Sequence, residues 1–433
     1  MNRVVISGIG MMVPSGFGEE AARSSVLAGV HQFRPITRFD TSPFRAGIAA
    51  ESAFTGSLLE LGLRLAADAL TSAGLADLSS SALVLGIQGD YNGLQHYWRE
   101  RIDMGTPQVA AGQAATVASS SRSAAWESES EGAEPEGGRP ERLQSEHMAP
   151  AAVPAVEFLP AFHMQTIAER YGMSPLGTRL CLNNACIASS NAIGVAYELI
   201  RQGRANRVLC GGYSLVTEEM FAKFDSGRAF AKDGRVRAFS ANRSGMLLGD
   251  GGAMLVLESL EQAVRRGATI HAELLGWGLS CDAFHVCQPH PHGAGMALAI
   301  ERALQASGLP ADQIDYIHAH GTGTPLNDRS ETAAIKQALG AAAYRTPVSS
   351  TKTVTGHLLE GTGALETALS VLAMKEGILP PTVGFEQPDE SCDLDYVPNE
   401  PRSARLRRVV NLNASFGGNN TALVLQHPEE VAR

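Results

Sequence analysis

The apolar segments of this chain repeat one pattern twice. A strand-like segment, VVISGIG, stands near the N-terminus, and a second, IHAELLGWG, begins at residue 270. Each opens a series of alternating β and α patterns, and the two series meet between Glu258 and Ala268. Strands that alternate with helices are typical of α/β proteins. The sequence therefore predicts two similar α/β halves, residues 1–258 and 259–433, that pack together.

One long segment interrupts the first half. Residues 106–154 are rich in Ser, Ala, Glu, Gly and Pro and contain the run VASSSRSAAWESESEGAEPEGGRPERLQSE. Such a segment has almost no apolar periodicity and too little apolar surface to offset the entropy of ordering. It predicts a flexible insertion. A lid and a partner-docking loop are alternatives to an inert insertion, which is the default interpretation.

The composition is typical of a globular enzyme of the cytoplasm. Of the 433 residues, 44% are hydrophobic and 18% are charged, so the chain can form a large core. No apolar run approaches the roughly 20 residues that span a membrane, and RVVISGIGM indicates a buried strand rather than a signal peptide. The net charge of −10 argues against a nucleic-acid partner. Six scattered cysteines without disulfide spacing favour a reducing compartment.

A cysteine directly precedes a strongly apolar helical segment. Cys186 lies in NNACIASSNAIG, and apolar residues then follow on a helical period as far as Gly203, a predicted C-cap. At a helix N-terminus, unsatisfied N–H groups and the positive end of the dipole favour an anion. Because the thiolate is the reactive form, this position predicts a nucleophile. The alternative is a small buried hydrophobic residue, which most free cysteines are.

Two histidine motifs follow far downstream. His320 lies in YIHAHGTGTPLND, where a short strand enters a Gly/Thr/Pro turn. His357 lies in SSTKTVTGHLLEGTGALE, just before another helix of small residues. One cysteine and two histidines on loops suit thioester chemistry, because sulfur can hold an acyl group while imidazoles stabilise an oxyanion. No Cys or carboxylate cluster completes a ligand set near the His-x-His pairs, so no metal is expected.

Several motifs together resemble those of one family. From the N-terminus almost to the C-terminus, the chain contains in order RVVISGIGMMVPSG, NNAC, GMLLGDGGAMLVLE, HAHGTGTP, SSTKTVTGHLLEGTGALE and NASFGGNN. They resemble the β-ketoacyl-acyl-carrier-protein synthases of fatty-acid biosynthesis and the related ketosynthases of polyketide assembly. The resemblance implies an α/β fold of the thiolase type, layered α/β/α/β/α with two similar halves. It also implies decarboxylative condensation of an acyl thioester with a malonyl thioester.

The resemblance assigns roles to the reactive residues. Cys186 is then the nucleophile that accepts the acyl group. His320 and His357 assist the decarboxylation of malonyl and hold the resulting enolate. Lys352 matches the family's structural lysine beside this pair. Two neutral imidazole N–H donors in a dry site can meet the charge that develops on the malonyl thioester oxygen.

Residues around HAHGTGTP match supporting positions of the family. Asp328 and Glu331 match its supporting carboxylates. Thr322 and Thr324 match positions that hold the phosphopantetheine arm of the carrier protein, although threonines are also ordinary residues of such a turn.

The C-terminal SFGGNN matches the family's gating loop. In the family, the residue that matches Phe416 donates its backbone N–H to the oxyanion, together with the backbone N–H of the nucleophile. The same residue acts as a gate between the two half-reactions. Gly417 and Gly418 give this loop backbone freedom. A simple tight turn between the final strands is the alternative.

The resemblance also implies partners. The substrates are acyl and malonyl groups on the phosphopantetheine of an acyl carrier protein, with no bound cofactor. In the family, a stretch like DSGRAFAKDGRVRAF meets the carrier; its basic residues here are Arg228, Lys232, Arg235 and Arg237. A solvated loop is the alternative. The basic helix that members often show near residues 52–66 is absent, since Arg64 is its single basic residue. Members pair through the segment before the nucleophile, which implies a homodimer or a heterodimer with a related subunit.

Two positions depart from the family pattern. Tyr91, in GIQGDYNGL, stands where a smaller aliphatic residue often lines the far end of the acyl pocket. A phenol there predicts a short or specialised acyl primer, and packing at a dimer interface is the alternative. Ser240, in RAFSANRSG, stands where an aspartate is usual, while Arg243 and Gly245 remain. The serine is expected to alter the local support of the site, but it removes no catalytic group.

Three function classes are compatible with this chain. A decarboxylating condensing enzyme, in a specialised polyketide or fatty-acid-type pathway, is best supported because the cysteine, both histidines and Lys352 occur together. A non-decarboxylating acyltransferase on the same fold would need Cys186 but would tolerate loss of His357. A non-catalytic partner subunit that resembles a chain-length factor typically lacks the cysteine.

Overall fold

The structure is a computed structural model that describes residues 1–103 and 155–431. The predicted insertion, residues 106–154, lies outside the described residues. Within them, no helix is both long and apolar enough to cross a membrane.

The described residues form fifteen strands and eleven α-helices. The strands are β1 (Val4–Val13), β2 (Gly16–Phe17), β3 (Arg34–Pro35), β4 (Ile48–Ala49), β5 (Ala82–Gly86), β6 (Arg179–Leu182), β7 (Arg207–Ser214), β8 (Gly251–Ser259), β9 (Ala272–Cys281), β10 (Tyr316–His318), β11 (Val348–Ser349), β12 (Ile378–Leu379), β13 (Arg402–Ser403), β14 (Arg408–Ala414) and β15 (Asn419–Gln426). The helices are α1 (Gly18–Ala22), α2 (Leu58–Ser72), α3 (Tyr91–Asp103), α4 (Pro160–Arg170), α5 (Ala188–Arg201), α6 (Glu218–Ser226), α7 (Leu260–Arg265), α8 (Ala294–Ser307), α9 (Pro325–Leu339), α10 (Lys352–Thr355) and α11 (Thr362–Glu376).

Most strands join one large mixed sheet in which the two halves repeat the same order. The first half runs β1-β8-β7-β5-β6, and the second runs β9-β15-β14-β10-β11. In each, the first three strands are antiparallel neighbours and the last three are parallel neighbours. The halves meet where β1 pairs with β9, for instance at Val4 opposite Leu274. A division at residues 258 and 259 remains a prediction, which this repeated order supports.

Helices separate and cover the two halves of the sheet. α5 and α11 contact each other and the strands of both halves, while α2 packs on β1 and β8, and α8 packs on β9 and β15. Residues Thr362–Met374 of α11 are all buried, and a helix enclosed on every side belongs to the centre of a large core. The result is the predicted α/β/α/β/α layering.

The local sequence explains the central helix α5. Its apolar residues recur on the helical period, and Gly203 follows the helix with φ +71°, a left-handed conformation that glycine adopts at low cost. The predicted C-terminal signal at Gly203 is confirmed. The first turns of α5 and α11 meet, since the backbone N–H of Ala364 donates to Ser189 Oγ at 3.0 Å, and Cys186 and His357 lie just before these two helices.

Candidate active site

Cys186 occupies a tight turn between β6 and α5. The turn is a single 3₁₀ segment, Ala185–Ile187, and Ala185 takes φ +58°, which is costly for a residue with a Cβ. Such strain indicates that the surrounding structure imposes the conformation. The Cys186 side chain is 7% exposed and packs in an apolar cluster with Met220, Phe224 and Leu359.

The environment of Cys186 corrects one expectation from the sequence. The helix N-terminus was expected to favour the thiolate. Instead, burial raises the pKa of the Cys186 thiol to about 12; the charge of Glu360 raises it further and that of Lys352 opposes this effect. Desolvation of an anion outweighs a helix terminus, whose effect is typically below about 1 kcal/mol. Cys186 therefore rests as a thiol and must lose its proton when it is acylated.

His320 and His357 lie side by side. Their ring centroids are 5.3 Å apart and the rings are nearly perpendicular, at 86°. The backbone N–H of Leu359 donates to His357 Nδ1 at 3.1 Å, and Thr362 Oγ1 lies 2.9 Å from the same nitrogen. Nδ1 is thus an acceptor, which assigns the proton of the neutral ring to Nε2. His320 Nδ1 is buried and has no hydrogen-bond partner among residues 1–103 and 155–431.

Both imidazoles are held neutral. Burial lowers the pKa of His320 and of His357 well below the usual value, and the charge of Lys352 lowers each further. A neutral imidazole presents one N–H donor without a charge that would have to be neutralised. The pair can therefore donate hydrogen bonds to an oxyanion in a site of low dielectric constant, where such bonds are strong.

A buried ion pair holds Lys352 close to the imidazoles. Lys352 Nζ donates to Glu366 Oε1 at 2.6 Å, and Asn413 Nδ2 donates to Glu366 Oε2 at 2.6 Å. Ser190 Oγ in turn donates to Asn413 Oδ1 at 2.5 Å. Because Ser190 lies in the first turn of α5, this network ties the lysine to the helix that follows the nucleophile.

Two buried carboxyl groups shape the loop that carries His320. Glu331 accepts the backbone N–H groups of His320 at 2.6 Å and Gly321 at 2.8 Å. Asp328 accepts those of Phe239 at 2.7 Å and Gly323 at 3.2 Å. Burial raises the pKa of Glu331 to about 7 and that of Asp328 to about 6. These side chains position the backbone and do not line the cavity described next.

The reactive side chains face one cavity of ≈ 640 Å³. Its lining includes Cys186, His320, His357, Thr322, Thr324 and Phe416. Thr322 Oγ1 and Thr324 Oγ1 lie 2.8 Å apart.

Phe416 stands at this cavity on the turn between β14 and β15. Its ring is 48% exposed and stacks on Phe224, with centroids 5.7 Å apart. Gly417 and Gly418 take φ +86° and +76°, so each adopts the left-handed backbone that glycine permits. An exposed aromatic ring on a glycine-rich turn has room to move.

Family profiles match most of the chain. The N-terminal domain of beta-ketoacyl synthase matches residues 1–263, and the C-terminal domain matches residues 271–386. The chain belongs to the β-ketoacyl synthase family. It is a condensing enzyme of the polyketide and fatty-acid type, as the motifs predicted.

Relatives and solved structures agree with this assignment. The chain is 44% identical over 256 residues to 3-oxoacyl-[acyl-carrier-protein] synthase 2 of Synechocystis sp., covering 58% of this chain and 62% of the relative. It is 34% identical to the tetracenomycin polyketide synthase ketoacyl synthase alpha subunit of Streptomyces glaucescens, covering 99% of this chain and 98% of the relative. The solved ishigamide ketosynthase/chain length factor is similar, with a TM-score of 0.83, 30% identity, and coverage of 98% of this chain and 99% of that one. The predicted thiolase-type fold is thus confirmed.

Tyr91 does not line the cavity that contains Cys186. It begins α3, lies under Lys223, whose Nζ is 4.9 Å from the ring centroid, and packs against the apolar cluster of Cys186. Its ring lines a separate, smaller cavity. A role in primer length remains a prediction.

The predicted docking residues are not one exposed patch. Arg237 is 8% exposed and pairs with Asp233 at 2.7 Å and with Glu386 at 3.1 Å, so the inclusion of Arg237 was wrong. A guanidinium whose charge is neutralised inside the protein cannot attract an acidic carrier. Arg235 is exposed but lies 3.6 Å from the same Glu386.

Of the four predicted residues, two keep the features expected of a docking surface. Arg228 is exposed and lines the mouth of the cavity that contains Cys186. Lys232 is exposed. Both remain predicted docking residues.

Ser240 makes a local network of its own. Its hydroxyl bonds to Asn242 Oδ1 at 2.8 Å and accepts the backbone N–H groups of Glu386 and Gln387. Arg243 donates to Asp389 and to the carbonyl of Pro325. The segment is therefore well bonded although the usual aspartate is absent.

Several residues of the site were not singled out from the sequence. Glu366, Thr362 and Glu360 all lie in the segment HLLEGTGALE beside His357. Glu366 binds Lys352, Thr362 contacts His357, and Glu360 is buried near Cys186. The signal was present: two glutamates in a stretch of small and apolar residues need partners if the stretch is buried.

Proposed function

We propose that this enzyme catalyses decarboxylative Claisen condensation of an acyl group on Cys186 with malonyl-acyl carrier protein, giving 3-oxoacyl-acyl carrier protein. The observation that carries the proposal is that Cys186, His320 and His357 line one cavity. The two half-reactions need a nucleophile and two neutral N–H donors that face the same cavity. No metal or bound cofactor is part of the proposal, because phosphopantetheine on the carrier brings the acyl groups.

The first half-reaction transfers the primer. Cys186 Sγ attacks the thioester carbonyl, the bond from that carbon to the carrier sulfur breaks, and the thiol proton ends on the departing carrier thiol. The backbone N–H groups of Cys186 and Phe416 are the proposed donors to the tetrahedral oxyanion. Thr322 and Thr324 are the proposed contacts of the pantetheine arm.

The second half-reaction makes the carbon–carbon bond. The malonyl carboxylate leaves as CO2, and its bonding electrons form an enolate whose oxygen accepts from His357 Nε2–H and from His320. The enolate carbon then attacks the acyl carbonyl on Cys186, and the sulfur leaves as a thiolate that takes up one proton. Lys352 is the proposed positioning residue, since its charge adds to the effect of burial in lowering the pKa of both rings.

Two partners belong to the proposal. The acyl carrier protein would approach the mouth of the cavity, where Arg228 offers a positive charge. A second subunit would pair with β6, the last strand of the sheet among the described residues, whose edge is free to form hydrogen bonds. The similarity to a ketosynthase/chain length factor supports a heterodimer as well as a homodimer.

Intact mass spectrometry of carrier-bound products tests the proposal. The protein is mixed with malonyl carrier and acyl carriers of two to sixteen carbons, with a Cys186→Ser variant as the control. A two-carbon β-keto extension that the variant cannot make is the expected result. Acyl transfer without loss of CO2 would make the protein an acyltransferase on this fold, and no acylation of Cys186 would favour a chain-length-factor-like subunit.

A further inference from the structure

A second cavity lies near Cys186 and is lined by both polar and apolar groups. It has a volume of ≈ 230 Å³, and its lining includes Gln88, Asp90, Tyr91, Ser214, Thr217 and Glu360. At roughly 30 Å³ for each water-sized group, it has room for about eight non-hydrogen atoms. This is the size of a short acyl chain. We call this space the second cavity.

The second cavity adjoins the nucleophile. Met220 lines it and packs in the apolar cluster that contains Cys186, and Tyr91 packs against the same cluster. The charge of Glu360 acts on the Cys186 thiol and raises its pKa. An acyl group on the sulfur would therefore have this space within reach, which rests on the proposed role of Cys186.

Glu360 is an unusual group to find there. Its side chain is 3% exposed, and no Lys, Arg or His within the described parts of the chain forms an ion pair with it. Burial raises the pKa of Glu360 to about 7, although its own backbone N–H and the Gln88 side chain both form hydrogen bonds with the carboxyl. A carboxyl group buried without a counter-ion is costly, so a hydrogen-bond donor from a ligand would stabilise it.

Other polar groups on the second cavity add to this preference. Asp90 is a second carboxylate, although one of its oxygens accepts the Gly93 N–H. Tyr213 also lines the space, and its buried hydroxyl has no hydrogen-bond partner among the described residues. The charge of Lys223 lowers the pKa of Glu360 against the effect of burial, but this lysine forms no ion pair with it: its Nζ lies over Tyr91 and pairs with Glu219 at 2.5 Å. Two carboxyl groups, those of Glu360 and Asp90, therefore line this space.

We propose that Glu360 selects acyl primers whose distal end carries a hydrogen-bond donor, a hydroxyl or an ammonium group, over primers that end in a methyl group. The carboxyl of Glu360 and the carbonyl of Gln88 accept from the donor, and the chain lies along Met220 and Tyr91. A methyl terminus offers no hydrogen bond to the remaining acceptor sites of the buried carboxyl, and unpaired polar groups carry the larger penalty in such sites.

Three primers of equal length test this selectivity. Heptanoyl, 6-hydroxyhexanoyl and 6-aminohexanoyl groups on one carrier protein differ at a single terminal atom. Rates of Cys186 acylation by intact mass, and of extension with malonyl carrier, are measured for wild type and for Glu360→Leu. Wild type should favour a donor-terminated primer about tenfold or more, and Glu360→Leu should reverse the preference. Glu360→Gln separates the two donors, because a neutral amide keeps a hydroxyl preference and loses an ammonium preference.

A matched control and a second variant separate an effect of Glu360 from a general loss of activity or stability. Glu261→Gln, an exposed acid far from the site, should leave all ratios unchanged. If Glu360→Leu unfolds, as judged by its melting temperature, Gln88→Leu provides the same comparison. Extension of heptanoyl at least as fast as the others by wild type would overturn this inference and leave the condensation intact. Failure to acylate Cys186 with any primer of two to sixteen carbons would overturn the proposed function and this inference with it.

Discussion

Lys352 and Glu366 form a fully buried ion pair, with Nζ 2.6 Å from Oε1 and both side chains at most 3% exposed. Neither residue is in contact with solvent, so the pair is held by its own attraction and by the Asn413 amide on the second carboxylate oxygen. The charge of Lys352 lowers the pKa of His320 and of His357. Glu366 thus acts on the imidazoles through the lysine that it holds.

Breaking this pair should impair both stability and chemistry. Glu366→Ala leaves Lys352 buried without a partner, and we expect a loss of about 3–5 kcal/mol in the free energy of unfolding. Denaturant unfolding measures it. Lys352→Met combined with Glu366→Leu should recover much of this loss without restoring decarboxylation. If the single variant is as stable as wild type, the pair does not hold the site.

The two histidines should be needed for decarboxylation and not for acylation. We expect His357→Ala and His320→Ala each to lower the rate of CO2 release from malonyl carrier about 100-fold to 1,000-fold, because one oxyanion donor is lost. Acylation of Cys186 by an acyl carrier, followed by intact mass, should change far less. His292→Ala, in an exposed position outside the cavity, is the matched control. Equal losses in both half-reactions would contradict this division of roles.

Glu360 should make the protein less stable as the pH rises. Its folded-state pKa is raised from 4.5 to about 7, so its contribution to stability is fully present below pH 4.5 and is lost as the pH rises through 7. A shift of this size corresponds to on the order of 3 kcal/mol. Glu360→Gln should therefore melt at a higher temperature than wild type at pH 8, and the advantage should disappear toward pH 5. A difference that does not vary with pH would contradict the raised pKa.

Carrier recognition should depend on Arg228 and not on Arg237. Arg228→Glu places a negative charge at the cavity mouth, where it repels an acidic carrier protein. We expect kcat/KM for malonyl carrier to fall about tenfold, and more at low salt. The same reaction with malonyl-pantetheine, which lacks the carrier protein, should be unaffected. Arg345→Glu, an exposed position outside the cavity, controls for net charge. Arg237→Ala should instead lower thermal stability, because it removes the buried guanidinium that pairs with both Asp233 and Glu386.

The sequence predicted the strands and the central helices because each leaves a local pattern, whereas the roles of the reactive residues come from the family motifs and stay a prediction. The helix after Cys186 has apolar residues on one period, and the strand before His320 ends in a glycine-rich turn. Whether a side chain is buried depends on residues that are distant in the sequence, so burial leaves no such local pattern. The raised pKa of Cys186 depends on Glu360 and Lys352, and the burial of Arg237 involves Glu386, all of which lie far away in the chain. A single sequence cannot reveal which charged side chain another segment will cover.

The ring of Tyr91 packs against the apolar cluster of Cys186 and also lines the second cavity. Replacing the phenol by a methyl group in Tyr91→Ala joins more volume to that cavity, and we expect the preferred primer to lengthen by about two to four carbons at roughly 30 Å³ for each. Competition among acyl carriers of two to sixteen carbons, read by intact mass, measures the shift. Tyr97→Ala, six residues further along α3, is the comparison on the same helix. An unchanged length preference would mean that Tyr91 packs against neighbouring residues and does not limit the primer.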